Sequence, residues 1–493
     1  MALLCASAQA ETTVFKHARV YTLDPKHPWL STLMIRDGRI VDGPVPKDAR
    51  IIDLHGRMVL PGFHDAHTHP MSAGMRLLRC KLDGTDIEAQ VRACAATQKG
   101  PWLLGAGWPE SLHPTTAQLD ALVPDRPAFL TTQNGFIGWA NSKALALAGV
   151  AATGALSPEL AQRVRHVIPP PSEAEYREAL RRASSIANRF GITSVFDAAA
   201  TPNMLDAYHD ADLAGELTLR VVAAQRVDLS QGPEQVDAMV ARRDRVAGRY
   251  FRADAAKFFL DEEITLHTAA MLAPYADAPA SGALFFAQPK LDALVERLDA
   301  EGFLIHMHAM GDAAVREGLD ALAHTTGGRH QIAHLGTVDA ADIPRFGRLG
   351  VTANFSPLWA MPSDPDYDAT RTALGPKRSF YPIARIAASG ARITAGSDWN
   401  STSMNPLDSI QAAVTRPDQR MTLAAMLAAY TKDAAWAARE DALDGTLEAG
   451  KAADLIVLSR DLFKTKPLAL SKVRVLLTLL DGKPVYRDPS FSW

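Results

Sequence analysis

The sequence predicts an α/β protein: a (β/α)8 TIM barrel with a small β-sandwich domain formed from both chain termini and a long insertion after barrel strand 1. Three observations lead to this fold class. Short apolar runs alternate with amphipathic helical stretches through the middle of the chain, β-rich segments occupy both ends, and the first two apolar runs are unusually far apart. An open doubly wound sheet is the alternative, but the Gly-rich phosphate loop typical of that fold does not follow the first strand.

The two ends of the chain carry short segments of alternating polarity. “TVFKHARVYTLDP” is followed by “STLMIRDGRIV”, which breaks at Asp-Gly as a β-hairpin does, and “ADLIVLS” and “VRVLLTLLDGKPVYRD” repeat this pattern near the C-terminus. We therefore expect residues 11–57 and 440–493 to form one composite β-sandwich domain. The barrel, residues 58–439, is then inserted between its two halves.

Eight apolar runs between the termini are candidate barrel strands. Helical stretches such as “SEAEYREALRRASSIANRFG” and “AAVREGLDALAHTTG”, with charged outer faces and Gly stops, separate several of them. In chain order the strand candidates are “RMVLPGF”, “ITSVFDA”, “TLRVVAA”, “AAKFFLD”, “FLIHMHA”, “RHQIAHLG”, “VTANFSP” and “ARITAGSD”. This alternation of strand and helix favours a parallel barrel.

Residues 75–170 separate the first two strand candidates. They contain the apolar runs “WLLGAGW” and “PAFLTTQNGF” and helical pieces such as “NSKALALAG”. An insertion after the first strand of a barrel emerges at its C-terminal face, where barrel active sites lie. We therefore expect this segment to be a lid over the active site.

Composition narrows the class of partner. The chain has 493 residues, with 52 Lys and Arg against 55 Asp and Glu, and basic residues are not clustered with aromatic ones, so nothing indicates nucleic acid. No apolar stretch reaches the roughly 20 residues of a membrane span. Three cysteines without CxxC spacing argue against a disulfide framework and against a thiolate zinc site. We expect a small-molecule partner; a homo-oligomer is left open.

The first residues, “MALLCASAQAETT”, resemble the end of a secretory signal peptide. Leu3, Leu4 and Cys5 continue an apolar region, and Ala8-Gln9-Ala10 is a small-x-small cleavage site. A basic n-region is missing, as it would be if the chain began inside a longer signal peptide. We expect residues 1–10 to be the remnant of such a peptide and the protein to be periplasmic; the alternative is a cytoplasmic protein with a disordered N-terminus.

Two histidines lie at the end of the first strand candidate. In “PGFHDAHTHP”, residues 61–70, alternate side chains of an extended backbone share a side, so His67 and His69 project together while His64 faces away. Two imidazoles on one side can bind a metal. Metal sites use three or four protein ligands, and a hydrogen-bonded pair of surface histidines is the alternative, so other strands must supply the remaining ligands.

Metal-competent side chains stand at three further strand ends. Alternation places His308 at the end of “FLIHMHAMGDAA”, His334 at the end of “RHQIAHLG” and Asp398 at the end of “ARITAGSDWN”. His306 lies a layer deeper than His308, where a core or supporting role is expected.

Lys257 lies inside the apolar strand “AAKFFLDEE” and shares its side with Asp261. A buried lysine is costly unless it is neutral or paired. The strand alone favours a buried Lys–Asp ion pair. The alternative is a neutral lysine that adds carbon dioxide and becomes a carbamate, whose two oxygens can bridge two cations.

Together these residues and the motifs around them resemble the amidohydrolase superfamily, and within it the YtcJ-like group (amidohydrolase family 3) that includes N-substituted formamide deformylases. A single HxH pair is weak evidence, whereas the ordered set HxH, Lys, His, His, Asp is specific. The resemblance covers nearly the whole chain, through “VLPGFHDAHTHP”, “GWPESLHPTTAQLDALVPDRPAFL”, “NSKALALAGV”, “AAKFFLDE”, “HMHAMGDAAVREGLDAL”, “RHQIAHLGTV”, “AGSDWNSTSMNPLDSIQAAVTR” and “GTLEAGKAADLIVLSRD”.

The resemblance implies a binuclear metal site. His67 and His69 would bind the first metal with Asp398, His308 and His334 the second, and a carboxylated Lys257 would bridge them. Nitrogen and oxygen donors without thiolate suit two zinc ions per chain, with manganese, iron or cobalt also compatible.

The chain departs from the group at two positions. Phe136, in “QNGFIGW”, stands where many members have a histidine, so a polar substrate contact there is lost. Ala333 stands where many have a glutamate; its parity turns it away from the metals, so we expect little consequence.

The resemblance implies hydrolysis of a C–N bond other than a peptide bond, by attack of metal-activated hydroxide on an amide. Asp398 would carry a proton from the attacking water to the leaving amine, although a role as metal ligand alone fits the same position. Other superfamily reactions, such as deamination and ester or lactone hydrolysis, are the alternative, and a non-catalytic binding protein is a further one. Aromatic side chains favour a hydrophobic N-acyl or N-aryl amide, with expected contacts at Trp108, Phe136, Trp359 and Trp399.

Overall fold

The computed structural model describes residues 12–109, 112–132 and 137–492. The strands are β1 (Thr12–Lys16), β2 (Arg19–Tyr21), β3 (Trp29–Leu30), β4 (Leu33–Arg36), β5 (Arg39–Val41), β6 (Arg50–Asp53), β7 (Met58–Pro61), β8 (Phe63–Thr68), β9 (Cys80–Lys81), β10 (Leu103–Trp108), β11 (Ala128–Thr132), β12 (Gly138–Ala140), β13 (Ile192–Ala200), β14 (Arg220–Arg226), β15 (Phe251–Phe259), β16 (Leu304–Ala309), β17 (Gln331–His334), β18 (Thr352–Phe355), β19 (Ile393–Ala395), β20 (Leu455–Leu458), β21 (Val475–Leu480) and β22 (Lys483–Arg487).

The α-helices are α1 (Pro70–Leu77), α2 (Ile87–Thr97), α3 (Thr116–Leu122), α4 (Ser142–Ala148), α5 (Pro158–His166), α6 (Glu173–Arg189), α7 (Pro202–Leu213), α8 (Gln235–Val246), α9 (Gln288–Ala300), α10 (Asp312–Leu322), α11 (Ile343–Leu349), α12 (Tyr367–Leu374), α13 (Ile383–Ala388), α14 (Pro406–Thr415), α15 (Leu423–Ala429) and α16 (Lys432–Ala437). Short 3-10 helices span Pro357–Ala360, Leu462–Lys464 and Pro467–Lys472. No helix within these described segments has the length and apolar character needed to cross a bilayer.

Strands from both chain ends form two sheets, in the orders β5-β4-β1-β6 and β22-β21-β20-β7-β2-β3. The turn between β4 and β5 has positive φ at both central residues, Asp37 (51°) and Gly38 (75°), which is the backbone of a type I′ hairpin. Apolar side chains from both termini, such as Phe15, Val59 and Leu477, are fully buried in one shared core. The termini therefore depend on each other to bury their hydrophobic faces.

Eight parallel strands, β8 and β13 to β19, form the central sheet in sequence order. The two edges of this sheet approach each other: the Asp398 amide donates to the His67 carbonyl at 2.8 Å. Gly396 permits this approach, because a Cβ atom there would lie 2.5 Å from the His67 amide nitrogen. The predicted fold class, an α/β barrel with extra sheets from the termini, is thus confirmed.

The first barrel strand differs from its prediction. “RMVLPGF” was expected to be one barrel strand, but its residues Met58–Pro61 form β7, which pairs with β2 and β20 in the terminal sheet. The barrel begins at β8, Phe63–Thr68, which itself carries the histidines. Gly62 separates the two strands, and its amide bonds to the Asp454 carbonyl.

Residues 71–183 form a compact unit of their own. Its four-stranded sheet has the order β12-β11-β10-β9, with β9, β10 and β11 parallel and β12 antiparallel. A disulfide joins Cys80 and Cys94, which are 14 residues apart. The number and spacing of the cysteines argue against a disulfide framework. They do not exclude a single bridge that leaves one of the three cysteines unpaired, and the sequence did not predict this bridge. The role of this unit as a lid stays a prediction.

Candidate metal centre

The end of β8 and the loop after β19 bring together three side chains that can bind one metal. His67, His69 and Asp398 each offer one ligand atom, and these atoms lie within 4.8 Å of one another. His69 Nε2 is 3.1 Å and His67 Nε2 is 3.7 Å from Asp398 Oδ1. Asp398 has a left-handed backbone, with φ of 50°, a strained conformation that is often found at functional sites.

His308 and His334 lie beside this group. The His334 ring is 4.6 Å from the His67 ring and 4.4 Å from the His308 ring, measured between centroids. Burial, followed by the charge of Lys257, lowers the pKa of His308 to about 3, and burial also holds the pKa of His67 and His334 well below the usual value. These imidazoles are therefore neutral, as metal ligands must be.

The side chain of His334 lies at the site, although the regular alternation of a strand would turn it to the opposite face. Ala333 pairs with the inward-facing His308 in the sheet register, and Ile332 pairs with Met307 on the opposite face. Ala333 therefore faces the barrel interior, and the expectation that its parity turns it away is wrong. A positive φ of 77° at His334 ends the alternation at that residue.

Lys257 is buried, with 1% of its surface exposed. Burial lowers the pKa of its amine to about 7, although the carboxylate of Asp398 opposes this shift. Asp261, the partner expected for an ion pair, instead accepts hydrogen bonds from the amides of Ala270, Met310 and Gly311. Within the described segments Lys257 has no salt bridge, so the Lys–Asp ion pair is not present.

The donor atoms fit a metal. The Nε2 atom of His67 and the Nδ1 atom of His334 are buried and have no hydrogen-bond partner within the described residues. Leaving a buried polar nitrogen unpaired costs about 1–3 kcal/mol, and a cation at this position would remove that cost. Neutral imidazole nitrogens with a carboxylate are the donor set of zinc and other divalent first-row metals.

Two residues contact the ligands or the loop that carries them, and the sequence indicates one of them weakly and the other not at all. His306, expected only to be deeper than the ligands, places Nε2 2.9 Å from His67 Nδ1. Asp65 accepts hydrogen bonds from the amide and hydroxyl of Ser397, and so links β8 to the loop that carries Asp398. Asp65 lies in the “HDAH” motif and Ser397 in the “GSD” motif. These two residues are 332 positions apart, so no local sequence pattern indicates that they pair.

The four expected substrate contacts fall in different places. The Trp359 ring stacks on the His334 imidazole, with centroids 5.0 Å apart and an angle of 7° between the planes. Trp399, directly after Asp398, is half-buried. Trp108 is 1% exposed in the core of the inserted unit, which is a packing position. Phe136 lies outside the described residues. Substrate contact stays a prediction for all four.

His64 faces the opposite side of β8 from the metal ligands. Its Nε2 atom is 3.2 Å from Asp444 Oδ1, and its Nδ1 atom is 3.9 Å from Glu440 Oε2. Arg220 bonds to Asp454 at 2.7 Å and lies 3.5 Å from Asp444. This buried network connects the start of the barrel to the C-terminal segment, and no local motif predicts it.

Comparison with known proteins agrees with this geometry. The sequence pattern of the amidohydrolase family matches residues 50–486. The chain is 26% identical to the N-substituted formamide deformylase of Arthrobacter pascens, over 94% of this chain and 96% of that protein. It is 26% identical to the protein LONG AFTER FAR-RED 3 of Arabidopsis thaliana, over 95% and 90% of the two chains.

A solved structure shares the fold: an uncharacterized metal-dependent hydrolase from Pyrococcus furiosus superposes with a TM-score of 0.80 at 24% identity, over 93% of this chain and 100% of that one. YtcJ of Bacillus subtilis is 25% identical over 88% of this chain and 90% of its own length. The chain therefore belongs to the amidohydrolase family, as a metal-dependent hydrolase that acts on carbon–nitrogen bonds.

Proposed function

We propose that the protein hydrolyses hydrophobic N-acyl or N-aryl amides at a centre of two zinc ions bridged by a carboxylated Lys257. The observation that carries this proposal is the environment of Lys257. Its amine is buried without a salt bridge in the described structure, and its charge acts on His67, His308 and His334. In its neutral form this amine can attack carbon dioxide and release one proton, which gives a carbamate anion next to the side chains that would hold the cations.

His67, His69 and Asp398 would hold one cation, and His308 and His334 the other. When bound, such cations would lower the pKa of a water to about 7 and polarise a carbonyl oxygen. The protein contributes the geometry. His306 and Trp359 hold the imidazoles of His67 and His334 by a hydrogen bond and by ring stacking, respectively.

Asp398 would carry the proton. Its Oδ1 atom lies 3.7 Å from Nε2 of His67 and 3.1 Å from Nε2 of His69, so its carboxylate lies next to the nitrogens that would hold the first cation. It would take the proton of the attacking water and pass it to the nitrogen of the leaving amine, which departs poorly as an anion. Water enters at the carbonyl carbon, the C–N bond breaks, and the products are a carboxylic acid and an amine.

Aromatic side chains support a hydrophobic substrate. Trp359 covers His334, and it packs with Tyr381, at a centroid distance of 6.5 Å, against the apolar cluster around Phe380. Trp399, directly after Asp398, adds a half-buried indole. Such rings bind flat apolar groups next to a reacting polar bond.

Metal content tests this proposal first. Protein purified without chelator and supplied with bicarbonate should contain about two metals per chain by plasma mass spectrometry, and should release amine from N-acyl anilides or N-benzylamides. Matched aryl esters and amidines identify esterase or deaminase activity by acid or ammonia release. One metal per chain with no amine release would contradict the binuclear amidase.

We also propose that the protein is exported. The bridge between Cys80 and Cys94 supports this, because disulfides persist in oxidising compartments and are rare in the cytosol. Fractionation of the native host, with free-thiol labelling of both cysteines, tests the proposal; reduced cysteines in a cytosolic fraction would contradict it.

A further inference from the structure

A cavity of about 390 Å³ opens where β13 and β14 end, between these strand ends and the helices α7 and α8. This volume is within the usual range for small-molecule sites. Its walls are mostly apolar, with Ala200, Leu205 and Val227 among them, and its polar lining includes the side chains of Arg226 and Arg242. None of the motifs that define the metal site accounts for this cavity.

Arg226 is the last residue of β14 and lies directly across from Lys257 in the sheet register. Residues paired in this way leave a parallel sheet on the same face, so the side chains of Arg226 and Lys257 share one face of the barrel sheet. Phe259 joins them: its ring centre is 5.2 Å from the Arg226 guanidinium carbon and 4.9 Å from Lys257 Nζ. The same ring lies 5.5 Å from the His308 ring. Arg226, one of the residues that line the cavity, is thus separated from Lys257 and His308 by one aromatic ring.

Arg242 is held at the cavity from α8. Its Nε donates to Gln225 Oε1 at 2.9 Å, and the amide of buried Gln225 is fixed by the carbonyls of Met239 and Ala253. Burial, together with the nearby Arg245, lowers the pKa of Arg242, and the carboxylate of Asp206 opposes this shift only in part. An anion at this position would relieve that cost.

One carboxylate, that of Asp228, belongs to the cavity lining, and the carboxylate of Asp206 interacts with Arg245. Asp228 accepts hydrogen bonds from Ser230 and Gln231, and Asp206 pairs with Arg245 at 2.5 Å. In the parts of the chain that the structure describes, neither Arg226 nor Arg242 forms an ion pair with a carboxylate. Two guanidinium groups and one carboxylate, that of Asp228, therefore line the cavity, which leaves one positive charge unmatched.

We propose that this cavity binds a carboxylate of the substrate through Arg226 and Arg242, so that the preferred substrates are aromatic amides that carry a carboxylate beyond the scissile C–N bond. This inference rests on the proposed amide hydrolysis. The aromatic part occupies the Trp359 side of the centre, and a short chain leads across Phe259 to the guanidinium groups. Guanidinium forks recognise carboxylates by paired hydrogen bonds, which makes them specificity determinants.

Matched acids and amides test the proposal on the metal-loaded protein. N-benzoylglycine, N-benzoyl-β-alanine and N-benzoyl-4-aminobutyrate would be compared with their primary amides, which have the same shape without the charge. For at least one chain length we expect kcat/KM to be about 10-fold or more higher for the acid. Arg226→Met should abolish this preference for the acids, mainly through KM. Arg226→Lys should retain part of it, because the charge remains without the fork.

Arg348→Met serves as the control, because Arg348 is an exposed arginine on α11, away from the cavity. Equal acid-to-amide ratios in wild type and Arg226→Met, or the same loss in Arg348→Met, would overturn the proposal. If no compound is hydrolysed, the proposed amide hydrolysis fails, and calorimetric binding of the same acids decides the inference separately. Binding about 10-fold weaker in Arg226→Met then supports the carboxylate site, and unchanged binding overturns it.

Discussion

Nε2 of His306 lies 2.9 Å from Nδ1 of His67, deep in the barrel beneath the metal centre. This contact leaves Nε2 of His67 as the nitrogen that faces the other ligands, where it has no hydrogen-bond partner within the described residues. A second residue therefore decides which nitrogen of His67 is available to a metal.

His306→Leu should weaken metal binding. Loss of a hydrogen bond to a metal-binding histidine typically costs about 10–100-fold in metal affinity. We expect the zinc dissociation constant, measured by competition with a chromophoric chelator, to rise by that factor, and His306→Gln, which keeps a hydrogen-bonding group, to be less affected. His324→Leu, at an exposed histidine, is the control. Unchanged affinity in a folded His306→Leu protein would contradict the positioning role.

Asp398→Asn should lower turnover by about 100-fold or more, the low end of the contribution of general acid–base catalysis. An amide cannot accept and return the proton. The unfolding temperature should stay close to that of the wild type, and Asp42→Asn, at an exposed aspartate, should retain full turnover. Near-normal turnover in Asp398→Asn would remove Asp398 from the mechanism.

Lys257→Met should reduce the metal content from about two ions per chain to about one or fewer while preserving the fold. The methionine side chain is apolar and therefore suits a position where the lysine is only 1% exposed. Methionine has no amine and cannot form a carbamate. The wild type should lose activity in bicarbonate-free buffer after metal removal and recover it when bicarbonate and zinc return together. Two metals per chain in the variant would show that Lys257 is not a bridging ligand.

The network around His64 should make stability depend on pH. The carboxylates of Asp444, Glu440 and Asp454 raise the pKa of His64 above 6.5 against the effect of burial. A raised folded-state pKa means that this stabilisation is fully present below pH 6.5 and is lost as the pH rises through the folded value. Arg220 and Arg252 face the same carboxylates and reduce the effect.

His64→Gln should therefore cost about 3 kcal/mol of unfolding free energy near pH 6 and less at higher pH. Urea unfolding of both proteins across this range measures the difference. A cost that grows with pH would reverse the sign and contradict the assigned charge state of His64.

Reduction of the disulfide should destabilise the inserted unit. A bridge that closes a short loop contributes about 3 kcal/mol, chiefly by restricting the unfolded chain. Dithiothreitol should therefore lower the unfolding temperature of the wild type. The double variant Cys80→Ser/Cys94→Ser should start lower and not respond. Equal responses of the two proteins would indicate that the bridge does not form.

The sequence alone determined the fold class and the identity of the ligand candidates. Strands alternate with helices, and histidines, a lysine and an aspartate occur at strand ends; both patterns are local, because they depend on the two-residue period of a strand. Since the C-terminal ends of parallel strands meet at one face, local positions were enough to bring His67, His308 and Asp398 together.

Only the tertiary structure decided the remaining features. His334 lies at the site because its own backbone is left-handed, and Ala333 faces the barrel interior. His64 contacts Asp444, which lies near the other end of the chain. Arg226 lies beside the centre because its strand pairs with the strand of Lys257. These features depend on how the strands and helices pack: they are the register of the strands, the backbone strain of single residues and the contacts between residues far apart in the chain. The periodicity of the sequence carries no information about them.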